Sequence, residues 1–218
     1  MLFDDRFEAG RFLAFQLGEF ASRSDVVVLA LPRGGVPVGY EVAKAIDAPL
    51  DVFVVRKLGV PGQEELAMGA LASGGIVILN SAIVGLGVSK QMIDAAISRE
   101  KRELERRERE YRDGRPAVDV GARTILLVDD GLATGASMRV AATALRKKSP
   151  SGIVVGVPVA SPSTCAEFAT EVDRVICAVT PEPFLAVGQW YRDFSQTSDE
   201  EVRELLHRAS SFGSRKAA

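Results

Sequence analysis

The chain is poor in the residues that build metal centres and covalent frameworks: of 218 residues, two are cysteine and one is histidine. Cys165 and Cys177 lack CxxC spacing, which supports neither a structural zinc site nor a disulfide framework, so a reducing compartment is expected. Neither sign of charge dominates, with Lys plus Arg at 27 against Asp plus Glu at 29. This balance supplies no global attraction to nucleic acid or to an anionic membrane, and any polyanion site must be local. No apolar run approaches the length of a membrane span; Val26 to Leu31 is among the longest. The opening MLFDDRFEAG is acidic where a secretory leader would be basic, so a cytoplasmic location is expected. Internal repeats and low-complexity linkers are lacking as well.

What is present is an ordinary globular composition, 47% apolar and 26% charged, enough to bury a sizeable core without staples. Short β-branched runs at Val26 to Leu31, Asp51 to Val55, Ile76 to Leu79, Thr124 to Val128, Ile153 to Val159 and Arg174 to Ala178 read as buried strands. Helical patterns lie between several of them, at Val36 to Ile46, Ser137 to Lys147 and after Ser161-Pro162, where Ser is an N-cap and Pro takes the first helical position. This alternation predicts an α/β fold with a mainly parallel sheet. An opening helix from about Asp5 to Ala21 would gather Phe7, Phe12, Phe15, Leu17 and Phe20 near one side. Ser198 with Glu201 has capping-box spacing for a closing helix.

Two stretches depart from this plan. In Ser89 to Asp113, eleven of the twelve residues from Arg99 to Glu110 are charged, with opposite charges at helical spacing (Arg99 with Glu103, Glu103 with Arg107, Glu105 with Arg109). Ile93, Ile97, Leu104 and Tyr111 form a narrow apolar stripe, so the segment reads as a solvated helix packed by one stripe. A subunit contact along that stripe, and with it a homodimer, is the sharper alternative; nucleic-acid binding has little support where basic and acidic residues nearly balance. The second stretch, Gly59 to Gly75, holds five glycines and reads either as a mobile flap or as a hairpin joining neighbouring strands, with a short strand at Ala67 to Ala72.

The most specific chemistry lies in ILLVDDGLATGAS, Ile125 to Ser137: a buried strand ends in Asp129 and Asp130, then a turn of small residues opens a helix. Open α/β sheets bind ligands at such strand ends. In Ala133, Thr134, Gly135, Ala136 and Ser137 small side chains let backbone N–H groups converge on an anion, two hydroxyls add donors, and the helix N-terminus adds favourable dipole charge. The carboxylates call for a divalent metal or a hydroxyl-rich group such as ribose. Phosphate cradle and diol acceptor together suggest a sugar phosphate. Neither a Walker GxxxxGK[ST] loop nor a GxGxxG fingerprint is present, which argues against ATP hydrolysis and NAD chemistry. The competing explanation is a structural strand-turn-helix with surface carboxylates.

This stretch resembles the signature of the type I phosphoribosyltransferases: an aliphatic strand, an acidic pair, an aliphatic pair and a small-residue Thr-Gly loop. Gly131 departs from it, standing where the family usually has an aliphatic residue. The resemblance implies an open, mainly parallel twisted sheet flanked by helices, spanning residues 1–218 as one domain, with a flexible flap, a charged helical insertion at about 89–113 and a hood at about 180–198. It implies that Asp129 and Asp130 hold the ribose of 5-phosphoribosyl-1-pyrophosphate (PRPP), with any metal contact passing through ribose or water. Residues 133–137 would bind the 5-phosphate. The family's pyrophosphate loop corresponds to Leu31-Pro32-Arg33-Gly34-Gly35, where Arg33 supplies charge and a peptide is often cis, although an exposed Arg in a turn explains the same residues. Lys57 would contact pyrophosphate, a solvated lysine being the bland alternative. Phe184 and Trp190 would form an acceptor hood, against the alternative that they pack the closing helix. The implied reaction is Mg²⁺-dependent transfer of the phosphoribosyl group to a small acceptor, a nucleobase-like nitrogen heterocycle, with no part for nucleic acid or membrane. The lone His207 reads as a surface residue. Two alternatives stand beside the enzyme: a regulatory protein that binds PRPP or a nucleotide without turnover and is read through the charged helix, and, more distantly, a metal-dependent phosphohydrolase.

Overall fold

Two kinds of strand separate in space. In the computed structural model, which describes residues 1–85 and 87–213, β1 (Val26–Ala30), β2 (Leu50–Val52), β6 (Thr124–Val128), β7 (Gly152–Val159) and β8 (Arg174–Val179) form a parallel sheet in the order β2-β1-β6-β7-β8. A second, antiparallel sheet is built from β3 (Val55–Val60), β4 (Gln63–Ala72) and β5 (Ile76–Leu79).

Successive residues of the parallel strands point to opposite faces, and both faces are apolar, as a doubly covered sheet requires. Val26, Val28, Leu126 and Val128 pack under α1 (Arg6–Gln16), α2 (Gly35–Ile46) and α7 (Asp199–Arg208). Val27, Leu29, Ile125, Leu127 and Val155 pack under α5 (Ala136–Arg146) and α6 (Pro162–Glu171), with Phe168 and Met138 filling the layer. Caps follow the expected chemistry: the Ser161 hydroxyl accepts from the Thr164 amide at 3.1 Å, and that of Ser198 accepts from the Glu201 amide at 3.0 Å.

The run Asp51 to Val55 is not one strand. The chain leaves the parallel sheet after Val52, where the Phe53 amide still bonds Ala30 but the Val54 amide donates to the Ser73 hydroxyl at 2.8 Å, and it enters the second sheet at Val55. Ile76 to Leu79 likewise belongs to the antiparallel sheet and is only half-buried, with Leu79 exposed. Residues 59–75 adopt the hairpin reading: β4 runs ten residues, well beyond the expected 67–72, and pairs along β3 with irregular register near Gly59.

The charged segment is a 23-residue helix, α4 (Lys90–Arg112), following the short α3 (Ser81–Val84). Glu103 takes Arg107 as its spacing predicts, but it also takes Arg106; Arg99 turns to Glu100 and Glu105 to Lys101 instead of their expected partners. Ile93, Leu104 and Tyr111 are buried against β3 and α7 of the same chain, so the stripe is covered internally and is not free for a subunit contact.

Two further expectations are corrected. In the opening helix, which ends at Gln16 with a 3-10 turn at Gly18–Phe20, Phe15 is 89% exposed because Leu13 faces the core and Phe15 lies roughly 200° further round. Cys165 and Cys177 form a disulfide: α6 folds back along β8 and brings their Cα atoms to 6.4 Å, a usual separation for a bridge. That pairing removes the ground for inferring a reducing compartment from cysteine spacing. Among the described residues no helix is long and apolar enough to cross a membrane.

Candidate active site

The sheet order changes direction between β1 and β6. From β1 the chain proceeds outward to β2, and from β6 it proceeds the other way to β7 and β8, so the loops after β1 and β6 flank one crevice at the strands' C-terminal ends. These are the loops carrying Arg33-Gly34-Gly35 and Asp129 to Ser137. They touch: the Leu31 amide donates to the Val128 carbonyl at 2.9 Å, and a Cβ on Gly35 would lie 2.9 Å from the Asp129 Cα and the Val128 oxygen. A Cβ on Gly34 would collide with the Asp130 carboxylate. Glycine at both positions therefore lets the first loop lie against the acidic pair. The Pro32-Arg33 peptide, which precedes these glycines in the first loop, is cis.

Asp129 accepts from the Asp130 amide through Oδ1 at 2.8 Å, and Asp130 accepts through Oδ2 from Nε of Arg6 at 2.8 Å. Burial, reinforced by the neighbouring Asp130 charge, pushes Asp129 well above the usual carboxylate range. Burial raises Asp130 too, while the hydrogen bond and charge of Arg6 pull it back towards ionisation.

Beyond the carboxylates, Ala133, Thr134, Ala136 and Ser137 are exposed around a buried Gly135, whose φ of +68° at the N-cap of α5 turns the loop into the helix. The loop is supported from behind. Thr164 Oγ1 donates to the Ala133 carbonyl at 2.7 Å, and the Phe168 ring fills the space where a Cβ on Gly135 would sit. The departure at Gly131 also has a physical cause: Val187 methyls occupy the volume of its missing side chain.

Arg33 is partly exposed, with Nη1 3.7 Å from Oδ1 of Asp199. Lys57 is less integrated. It lies on β3 and pairs across the hairpin with Glu65 at 3.2 Å, away from any bond to the acidic loop. The preceding Arg56 is held by Glu100 of α4 at 2.6 Å. Phe184 lines an open cleft of about 540 Å³ with Ser161, Pro162, Ser163, Glu182 and Pro183, alongside the α6 turn that supports the loop before α5. Trp190 is not among these lining residues; like Phe184 it packs against the cluster of Phe3, Ala9, Val159 and Tyr191, and its carbonyl accepts from the Phe3 amide at 2.9 Å. His207 is exposed on α7.

Sequence reasoning missed Arg6, Thr164, Asp199 and the contact that Tyr191 of the hood segment makes with Asp130. Tyr191 donates to the Asp130 carbonyl at 2.6 Å, and burial together with the Asp130 charge raises its phenol so that it stays protonated. A serine cap followed by Thr164 was the one local signal; for Arg6 and Tyr191 nothing nearby in sequence marks the contact.

A model of the phosphoribosyl transferase domain matches residues 62–186, more than half of the chain, including the acidic pair and the loop that follows it. This chain belongs to that family. Two Mycobacterium tuberculosis proteins (strains CDC 1551 / Oshkosh and H37Rv), provisionally named as phosphoribosyl transferases, are each 47% identical over 209 residues, covering 95% of this chain. The alignment covers 47% of their own length, so this phosphoribosyl transferase chain spans about half of the curated relatives it matches. The crystal structure of TT1426 from Thermus thermophilus superposes with a TM-score of 0.82 at 39% identity, over 95% of this chain and 99% of that one. A Neisseria gonorrhoeae protein solved with bound ppGpp shares the fold at 11% identity, with a TM-score of 0.52 over 95% of this chain and 94% of its own.

Proposed function

We propose that this phosphoribosyl transferase family member moves the 5-phosphoribosyl group of PRPP onto a nitrogen heterocycle and releases pyrophosphate, with residues 1–218 working as one domain. The observation that carries the reading is the meeting, at the sheet's switch point, of two loops shaped for anions with a carboxylate pair between them. Residues 133–137 offer amides, hydroxyls and a helix N-terminus to the 5-phosphate. Asp129 and Asp130 accept from the ribose hydroxyls, and Arg33 with the amide of Gly34 meets the pyrophosphate, while the buried Gly35 amide donates to the Leu31 carbonyl at 3.0 Å and shapes the loop. Lys57 reaches the pyrophosphate only by leaving Glu65.

In the reaction the C1–O bond breaks with its electron pair going to pyrophosphate, and an acceptor nitrogen lone pair forms the new bond to C1. Catalysis by this chain is positioning and charge stabilisation, with no covalent enzyme nucleophile. Among the described residues no cluster of three metal-binding side chains exists, yet the hard oxygens of Asp129 and Asp130 suit Mg²⁺ brought in by the phosphates and held through ribose or water. Bound there, Mg²⁺ would neutralise the leaving group. The cleft beside Phe184 supports an acceptor with a flat face, and Trp190 serves as packing behind the hood.

A second reading, a PRPP- or nucleotide-binding regulator without turnover, is favoured by the ppGpp bound to the Neisseria protein of the same fold. Calorimetric titration with PRPP, with and without Mg²⁺, tests the site, using Asp130→Asn as control. Saturable binding lost in the variant is expected, followed by acceptor-dependent pyrophosphate release. Binding without release for any heterocycle would favour the regulator, and no binding in either condition would remove the site assignment.

A further inference from the structure

The first residues of the chain run beside the hood. Phe3 pairs in parallel with Tyr191, the Arg192 amide donates to the Phe3 carbonyl at 2.8 Å, and the Asp193 amide donates to that of Asp4 at 2.9 Å. Asp5 then caps α1 through the Glu8 amide at 2.7 Å. This path delivers Arg6, the first residue of α1, over the acidic pair. Its side chain is only 10% exposed. Nε donates to Asp130 Oδ2 at 2.8 Å, Nη1 donates to the Ser195 carbonyl at 2.7 Å, and the guanidinium carbon lies 4.0 Å from the Phe194 ring centroid. A Cβ on Gly34 would lie 3.2 Å from Nε, so the same group borders the anion loop.

We infer that Arg6 is a positioning residue of the sugar-phosphate site, fixing the Asp130 carboxylate so that it receives the ribose hydroxyls. The inference rests on the function proposed above and assigns to the N-terminal helix a part in that site. Two physical points support it. A planar guanidinium with a fixed fork of donors, held by a backbone carbonyl and an aromatic face, fixes the rotamer of the carboxylate it binds. The bond uses Oδ2 and leaves Oδ1 for a ligand hydroxyl.

A purely structural Arg6, tying the N-terminus to the hood, predicts something different from a positioning one. Calorimetric titration with ribose 5-phosphate and, separately, inorganic phosphate discriminates them, because only the first ligand carries the diol. Arg6→Ala is expected to weaken ribose 5-phosphate about tenfold, the scale of one charge-assisted hydrogen bond, while inorganic phosphate at residues 133–137 changes less than about twofold. Arg6→Lys, which keeps the charge without the fork, should fall between and carries the test if the alanine variant does not fold. Unchanged ribose 5-phosphate affinity, or parallel loss of both ligands, overturns the inference. Wild-type protein that binds inorganic phosphate but not ribose 5-phosphate overturns the sugar-phosphate reading itself, and the inference with it.

Discussion

The Tyr111 hydroxyl donates to Oδ1 of Asp199 at 2.6 Å, and that same oxygen lies 3.7 Å from Nη1 of Arg33. The charged helix is thereby linked, through the first residue of α7, to the loop after β1. Burial, with the Asp199 hydrogen bond and charge, raises the Tyr111 phenol, so it remains a donor at any physiological pH. Tyr111→Phe should lower stability by about 1–2 kcal/mol, read from urea unfolding. Asp199→Asn removes the carboxylate competing for Arg33 and should tighten inorganic pyrophosphate by roughly threefold, as expected of a charge change at a partly exposed pair. Weaker pyrophosphate binding in that variant would count against the role given to Arg33.

Gly135→Val tests the loop before α5. The substitution places a β-branched residue at φ +68° and drives its Cβ into the Phe168 ring. A loss of several kcal/mol and of phosphate binding is expected together. Phe168→Ala removes a fully buried ring and is itself costly, so the comparison is made in that background, where Gly135→Val should cost less than in the wild type but still a measurable amount, the backbone conformation remaining unfavourable. No remaining cost of Gly135→Val in that background would place the whole effect in the collision.

The return from α4 to β6 depends on a buried ion pair. Arg112 Nε donates to both oxygens of Asp51 at 2.8 and 3.0 Å, and its Nη2 donates to the Val52 carbonyl at 3.0 Å. Arg112→Ala leaves the Asp51 charge buried with only the amides of Val52 and Val118, and should cost about 3–5 kcal/mol in denaturant unfolding. A cost below about 1 kcal/mol would show the pair to be dispensable.

Acid should weaken α4 in a defined window. Hydrogen bonds from Arg106 and Arg107 lower Glu103 to about 2 from an ordinary value of about 4.5. A depressed carboxylate contributes its stability above the unfolded value and loses it as pH falls from about 4.5 through about 2. The difference in unfolding midpoint between wild type and Glu103→Gln should therefore be present at about pH 7 and vanish towards about pH 2. An equal difference at both ends would contradict the assignment.

The parallel sheet, its helices and the serine caps were legible because each depends on a short local pattern, as Thr124 to Val128 shows by forming a strand with the expected bounds. The second sheet was not. Whether Ile76 to Leu79 joins a parallel or an antiparallel partner depends on where the chain turns at Phe53 and Val54, and a short β-branched run reads alike in either setting. Phe15 was misplaced because a helix rich in phenylalanine offers more apolar residues than one face can take.

By itself the sequence determined the α/β class and the local build of the loop after β6, since glycine, small hydroxyl residues and paired carboxylates act through their own backbone and immediate neighbours. Tertiary structure alone decided that these loops share one crevice and that Cys165 meets Cys177. It also decided that Arg6 reaches Asp130 across 124 residues of sequence. The physical reason is that ion pairs, ring stacking and disulfides are short-ranged in space yet indifferent to separation along the chain, so only the packing of α1, α6 and the hood onto the sheet could select them.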